Sequence, residues 1–138
     1  MGASFVYKGF LGTIGALKKM TKPDGFIIIG EPHWLKEPDV EYLRISEIIR
    51  EDYNSHFKNI EIGEKEGLIC LYTLVSNHDD WDHYETLQWW SSYDYIRNYP
   101  DDPDNSELLN NISKAKKAYL LYGRDTLGWA IYVFKLKR

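Results

Sequence analysis

The sequence is short of the residues on which several function classes depend. Cys70 is its one cysteine, so neither an internal disulfide nor a cysteine-based zinc site is available. That cysteine lies in the apolar run Leu68-Ile69-Cys70-Leu71, the setting of a buried, inert thiol. No basic stretch reaches the size of a face. The densest is Lys114, Lys116 and Lys117, with Arg124 further on, and the net charge is −4. A nucleic-acid partner therefore has little electrostatic support. No apolar run approaches the roughly 18 residues that a membrane-spanning helix needs, and no basic N-terminal region leads into one. The expectation is a soluble, cytoplasmic protein with neither a nucleic-acid nor a membrane partner. Internal repeats, low-complexity segments and linkers are also missing, so residues 1–138 read as a single domain, long enough for one core.

Hydrophobic residues make up 43% and charged residues 28%, which is a globular composition. Aromatics are plentiful: 11 Tyr, 5 Trp and 5 Phe amount to 15%. Rings bring large buried area and polar edges, which suits a bulky core or a cleft for a flat or apolar ligand.

Residues 5–20 read as a helix, with Phe10, Ile14 and Leu17 on one face and Lys18 and Lys19 in the last turn. Gly9, Gly12 and Gly15 recur within it. A glycine costs about 1 kcal/mol in a helix interior, so the row implies close approach by a backbone or a ligand. After the turn Pro23-Asp24-Gly25, the run Phe26-Ile27-Ile28-Ile29-Gly30 predicts a strand buried on both faces, as in a parallel sheet. Glu31-Pro32-His33-Trp34 follows at its C-terminal end, the ligand side of open α/β sheets. Asp39 caps a predicted helix to about Phe57, residues 63–67 read as a polar loop, and Leu68–Val75 as a strand. Acids at 79–82 open the next helix, broken at Tyr99-Pro100. Asp104 and Glu107 suggest a capping box for another, closed by Gly123. The last stretch, Thr126 to Leu136, is apolar on both sides and predicts an interior strand.

The joints between these elements carry a resemblance. Gly2-Ala3-Ser4, the Gly9/Gly12 helix, Lys22-Pro23-Asp24-Gly25 and Ile29-Gly30-Glu31-Pro32-His33-Trp34 resemble one bacterial and archaeal branch of the class I S-adenosylmethionine-dependent methyltransferases. Its pattern runs G-A-S, helix, K-P-G-G, apolar strand, G-E-P-aromatic-W. Asp80-Trp81-Asp82, Tyr84-Glu85 and Gly128-Trp129 with Tyr132-Val133 resemble it too. Asp24 departs from the pattern where the first glycine of the pair would stand, a mild change in a turn. The resemblance implies an α/β fold: the C-terminal half of a Rossmann-like methyltransferase sheet, helices on its faces, and a helical insertion at about 78–123 before the last strand. It also implies that the glycine-rich turn and the acidic residue that hold most of the cofactor lie N-terminal to Gly2.

By the same resemblance, Gly2, Ala3 and Ser4 would lie beside the methionine part of S-adenosylmethionine. Glu31 or His33 would serve as the base for the acceptor's proton, and Trp34, Trp81, Tyr84 and Trp129 would line the acceptor pocket. Glu31 is as readily explained as a cap of the turn that follows, His33 as a matter of shape, and Trp34 as packing. His78, Asp79, Asp80, Asp82 and His83 imitate a metal cluster, but helix capping explains the acids, and no metal is expected. The resulting expectation is a methyltransferase fragment for a small-molecule acceptor, inactive alone. The alternative is a non-catalytic module that self-associates or pairs with a separate N-terminal chain through a cut sheet edge.

Overall fold

The computed structural model describes residues 4–137; the cofactor contacts expected of Gly2 and Ala3 fall outside them. The described chain forms two compact units. One comprises residues up to Lys36, Arg50–Val75 and the chain from Leu127; the other comprises Glu37–Ile49 and Ser76–Thr126.

The first unit is built on a sheet. A 3-10 turn at Ser4–Tyr7 leads into α1 (Phe10–Met20), then β1 (Phe26–Trp34), α3 (His56–Lys65), β2 (Leu68–Val75) and β3 (Leu127–Leu136). The sheet order is β1-β3-β2, with β3 antiparallel to both neighbours. The interior position expected for the last strand is therefore what the chain adopts. A bulge at Leu71 shifts the β2–β3 register. Phe10 and Ile14 of α1 pack with Ile27, Ile29, Leu68, Ala130, Tyr132 and Phe134 to form the core.

Two expectations for this unit change. β1 is not buried on both faces: Ile27 and Ile29 are buried, whereas Phe26 is 58% and Ile28 65% exposed. Its one neighbour among the described strands is antiparallel. A continuous apolar run shows that both faces favour burial without saying what covers the second. The glycine row is explained only in part by close approach. A Cβ on Gly12 would lie 1.8 Å from the Tyr7 carbonyl oxygen of the preceding turn, and Gly9 has φ 104°, while Gly15 has open space.

Helix α3 replaces what had read as a helix tail and a polar loop. Helix α2 (Val40–Ser46), capped by Asp39 as expected, stops where Glu47 turns left-handed at φ 55°. Ser55 then starts α3 afresh by accepting the Lys58 N–H at 3.1 Å. Gly63 lies inside this helix, against the Phe134 ring.

The second unit holds α2 with α4 (His78–Asn98), α5 (Asn105–Ala118), a π turn (Tyr119–Gly123) and the short α6 (Arg124–Thr126), which runs directly into β3. Asn77 and Asp80 close a reciprocal capping box on α4. The box expected at Asp104 does not form. Instead Asp102 accepts the Asp104 N–H at 2.9 Å, two residues earlier than a cap would act. Gly123 is no C-cap either; the chain continues helically past it, and its small size admits the Tyr42 hydroxyl at 3.1 Å from a would-be Cβ. No helix among the described residues is long and apolar enough to cross a membrane.

Candidate functional site

Along β1 every second residue faces the core, in the order Ile27, Ile29, Glu31, His33. The residues opposite them on β3 are Phe134, Tyr132, Ala130 and Gly128. As the β1 row turns from apolar to polar, its partners shrink from rings to almost nothing. That taper makes room at the C-terminal end of β1 for two ionisable side chains in a buried setting. Glu31 is 3% and His33 2% exposed.

Ser4 reaches this end from the 3-10 turn, and its hydroxyl donates to Glu31 Oε1 at 3.1 Å. Oε2 of Glu31 is buried with no hydrogen-bond partner among the described residues. Burial pushes the Glu31 carboxyl above its usual range, and the Ser4 hydroxyl only partly offsets this. Neither ring nitrogen of His33 has a partner in hydrogen-bonding geometry among the described residues. Burial first, and then the neighbouring His56, lower its affinity for a proton; the backbone at Trp34 partly offsets them. A buried polar atom left unpaired costs about 1–3 kcal/mol, and here three such atoms stand within two positions of one strand.

His33 is held between two surfaces. On one side a Cβ on Gly128 would lie 2.6 Å from His33 Cε1, so only glycine admits the ring. On the other, the His56 ring lies at a centroid distance of 4.9 Å, tilted by 44°. His56 belongs to α3, and its Nδ1 is 2.9 Å from the buried Tyr132 hydroxyl. Tyr132 also receives a hydrogen bond from Asn59 Nδ2 at 3.1 Å, and Asn54 Nδ2 donates to Asn59 Oδ1 at 3.1 Å. Burial raises the Tyr132 phenol to about 12, so it keeps its proton. Sequence reasoning did not single out His56 or Asn59, and it marked Tyr132 only as part of a joint motif. His56 had been assigned to a helix tail and Tyr132 to one side of a strand; the Ser55 cap was the signal that a new helix began there.

Two of the aromatic candidates lie away from this face of the sheet. Trp34 and Trp129 occupy the opposite face of the sheet from Glu31 and His33. Trp34 donates from Nε1 to the Arg50 carbonyl at 2.9 Å and meets the Tyr53 ring edge-on at 5.5 Å. Trp129 packs over Gly30, where a Cβ would come within 2.3 Å of its ring. Trp81 and Tyr84 belong to α4, with ring centroids 6.0 Å apart, in the helical unit. Asp80 is engaged in its capping box, and Asp82 is gripped by Arg124 at 2.9 and 3.1 Å and by the Tyr119 hydroxyl at 2.6 Å. Among the described residues no group of three or more His, Cys, Asp or Glu side chains is placed to hold a metal.

Comparison with known proteins gives this geometry its context. The chain superposes on a S-adenosylmethionine-dependent methyltransferase from Geobacter sulfurreducens, solved with S-adenosyl-L-homocysteine, with a TM-score of 0.91 at 25% identity. The match covers 99% of this chain and 56% of that one. The fold is that of the C-terminal half of a class I S-adenosylmethionine-dependent methyltransferase. A second such enzyme, from Thiobacillus denitrificans and also solved with S-adenosyl-L-homocysteine, matches with a TM-score of 0.89 at 25% identity, over 99% of this chain and 56% of that one. The uncharacterised protein YjhP of Escherichia coli (strain K12) is 27% identical over 136 residues, covering 96% of this chain and 54% of YjhP. No family model matches. The chain thus spans about half the length of the relatives it matches, and S-adenosylmethionine is the cofactor of the complete family domain.

Proposed function

We propose that this chain supplies the acceptor side of a methyl transfer from S-adenosylmethionine to a small molecule, with most cofactor-binding groups carried by residues outside it. The observation that carries the reading is the polar end of β1. Glu31 Oε2 and both His33 nitrogens are buried and without a partner in hydrogen-bonding geometry among the described residues, at the strand end where open α/β sheets bind ligands. In the complete domain S-adenosylmethionine supplies an electrophilic methyl group. What is required of the protein is alignment, exclusion of water and a place for the acceptor's proton.

His33, kept neutral by burial, has one nitrogen able to take that proton, and neither of its nitrogens is engaged in hydrogen-bonding geometry among the described residues. Glu31, with one oxygen held by Ser4, offers its other oxygen as an acceptor for the same hydrogen. Ser4, with Gly2 and Ala3, is assigned to the methionine end of the cofactor. Trp81 and Tyr84 are assigned to shaping the acceptor pocket, whereas Trp34 and Trp129, on the other face of the sheet from Glu31 and His33, are left to packing. We take residues 1–138 as one portion of a methyltransferase domain, with about 78–123 as its helical insertion, working in the cytoplasm and inactive alone.

Calorimetry tests this. The chain by itself should show no stoichiometric binding of S-adenosyl-L-homocysteine, and a chimera joining it to the N-terminal half of the Geobacter protein should bind. Tight binding by the chain alone would remove the need for outside residues. A second reading has its own support. Phe26 and Ile28 of β1 and Phe5, Val6 and Leu11 beside α1 are exposed apolar residues, which favours a module that pairs with a separate N-terminal half or with its own copy. A strictly monomeric chain in light scattering, unchanged by the added N-terminal half, would dismiss it.

A further inference from the structure

The buried chain behind His33 has a direction. Asn59 Nδ2 donates to the Tyr132 oxygen, and Asn59 Oδ1 is occupied by Asn54 Nδ2, so the amide orientation is set from both ends. The Tyr132 phenol holds one proton of its own. Its only other polar neighbour in hydrogen-bonding geometry among the described residues is His56 Nδ1, at 2.9 Å. If Nδ1 carried a hydrogen, both would be donors, and a fully buried hydroxyl would have nowhere to send its proton. The arrangement closes only when Nδ1 accepts.

We propose that His56 and Tyr132 are positioning residues of the acceptor site: Tyr132, backed by Asn59 and Asn54, donates to His56 Nδ1, fixes His56 as its Nε2–H tautomer, and so presents an uncharged ring that clamps His33 against Gly128. This rests on the reading of His33 as the acceptor-side base. A protonated His56 would face the Tyr132 donor and would set a positive charge beside His33, opposing the proton that His33 is there to take. Burial lowers the proton affinity of His56 in the same sense.

The neighbouring groups do not reverse this. From β1 come His33 itself and Glu31, whose charge acts on Tyr132 and Tyr53; from β2, Cys70 acts on Tyr132. α1 contributes the uncharged Phe10, edge-on to Tyr132 at 5.7 Å. α3 itself contributes Asn59, also uncharged.

Histidine nitrogen NMR on the uniformly 15N-labelled chain, followed from pH 8 to 5, tests the proposal. His56 should show the pattern of an Nε2–H tautomer with unprotonated Nδ1, and should titrate below the ordinary histidine value of 6.5. In Tyr132→Phe it should become a tautomer mixture with its midpoint moved upward, and the His33 midpoint should move downward, because a more readily charged His56 opposes its proton. An Nδ1–H tautomer in the wild-type spectrum overturns the proposal, and this needs no variant to fold. So does a Tyr132→Phe spectrum in which neither histidine changes. In the chimera, Tyr132→Phe should also shift the acid limb of the methyl-transfer pH profile upward, as His56 takes up its charge at higher pH, which loss of packing alone would not do. If His56 has the expected tautomer but His33→Gln leaves methyl transfer intact, the clamp stands and the base assignment to His33 falls.

Discussion

Two clusters of ionisable side chains, one in each unit, treat their hydrogen-bonding capacity in opposite ways. In the helical unit Asp82 is complete: Arg124 donates twice, the Tyr119 hydroxyl donates once, and the carboxyl is held down at about 2. At the end of β1 one Glu31 oxygen and both His33 nitrogens lack a partner in hydrogen-bonding geometry among the described residues, and burial pushes the Glu31 carboxyl up. The first cluster joins α4 to the helical segment that leads into β3, and it asks for nothing further. The second keeps a cost of folding in place, which proteins tend to retain where a ligand repays it. A polar residue's role is thus read from what remains unpaired around it more than from its identity.

The contrast can be broken in several ways. The largest effect is expected in the frame of the β1 row: Phe134→Ala should cost about 3–5 kcal/mol in urea unfolding, as for a fully buried ring. A cost below about 1 kcal/mol would mean that this core does not hold the polar end in place. Next, Glu31→Met should raise stability by about 1–3 kcal/mol, because it removes a buried carboxyl with an unpaired oxygen, and should abolish methyl transfer in the chimera. Arg124→Met should do the reverse, lowering the melting temperature because it strips Asp82 of its partner. If both changes lower stability alike, the two clusters are not different in kind.

Acid should separate them as well. His33 and His56 bind protons less readily folded than unfolded, so their contribution is present above the ordinary histidine value of 6.5 and is lost as pH falls below it. Asp82 is depressed from 3.8 to about 2, so its contribution persists until pH falls through that lower window. Stability followed by chemical denaturation should therefore show a loss below pH 6.5 that shrinks in His33→Gln, and a separate one below pH 4 that shrinks in Asp82→Asn. A single loss, equal in both variants, would contradict the assignment. The smallest effect is local: Asn77→Ala removes the α4 cap and should cost about 1 kcal/mol, seen as faster amide exchange in the first turn of α4.

Much of this was legible in the sequence. The alternating apolar sides of 126–136 marked an interior strand, the joint motifs pointed to the family fold, and Glu31 and His33 were expected just past the first strand, which instead runs on to Trp34 and includes them. Three things were not legible, each for a physical reason. The end of α2 depends on one left-handed residue, Glu47, whose side chain does not advertise that conformation. The openness of the second face of β1 depends on what covers it, which an apolar run cannot state. The His56–Tyr132–Asn59 chain joins residues 73 and 76 positions apart, and only the packing of α3 on the sheet brings them together. Trp34 and Trp129 show the converse: motif position marks them, yet the strand period turns both away from the Glu31 and His33 face.

The most direct test of the central claim is release of S-adenosyl-L-homocysteine by the chimera over a panel of small amine and hydroxyl acceptors, compared with its Glu31→Gln and His33→Gln forms. The account predicts release with at least one acceptor and its loss in both variants, with S-adenosyl-L-homocysteine binding retained. Release unchanged by either substitution would contradict the assignment of the polar end of β1 to the acceptor.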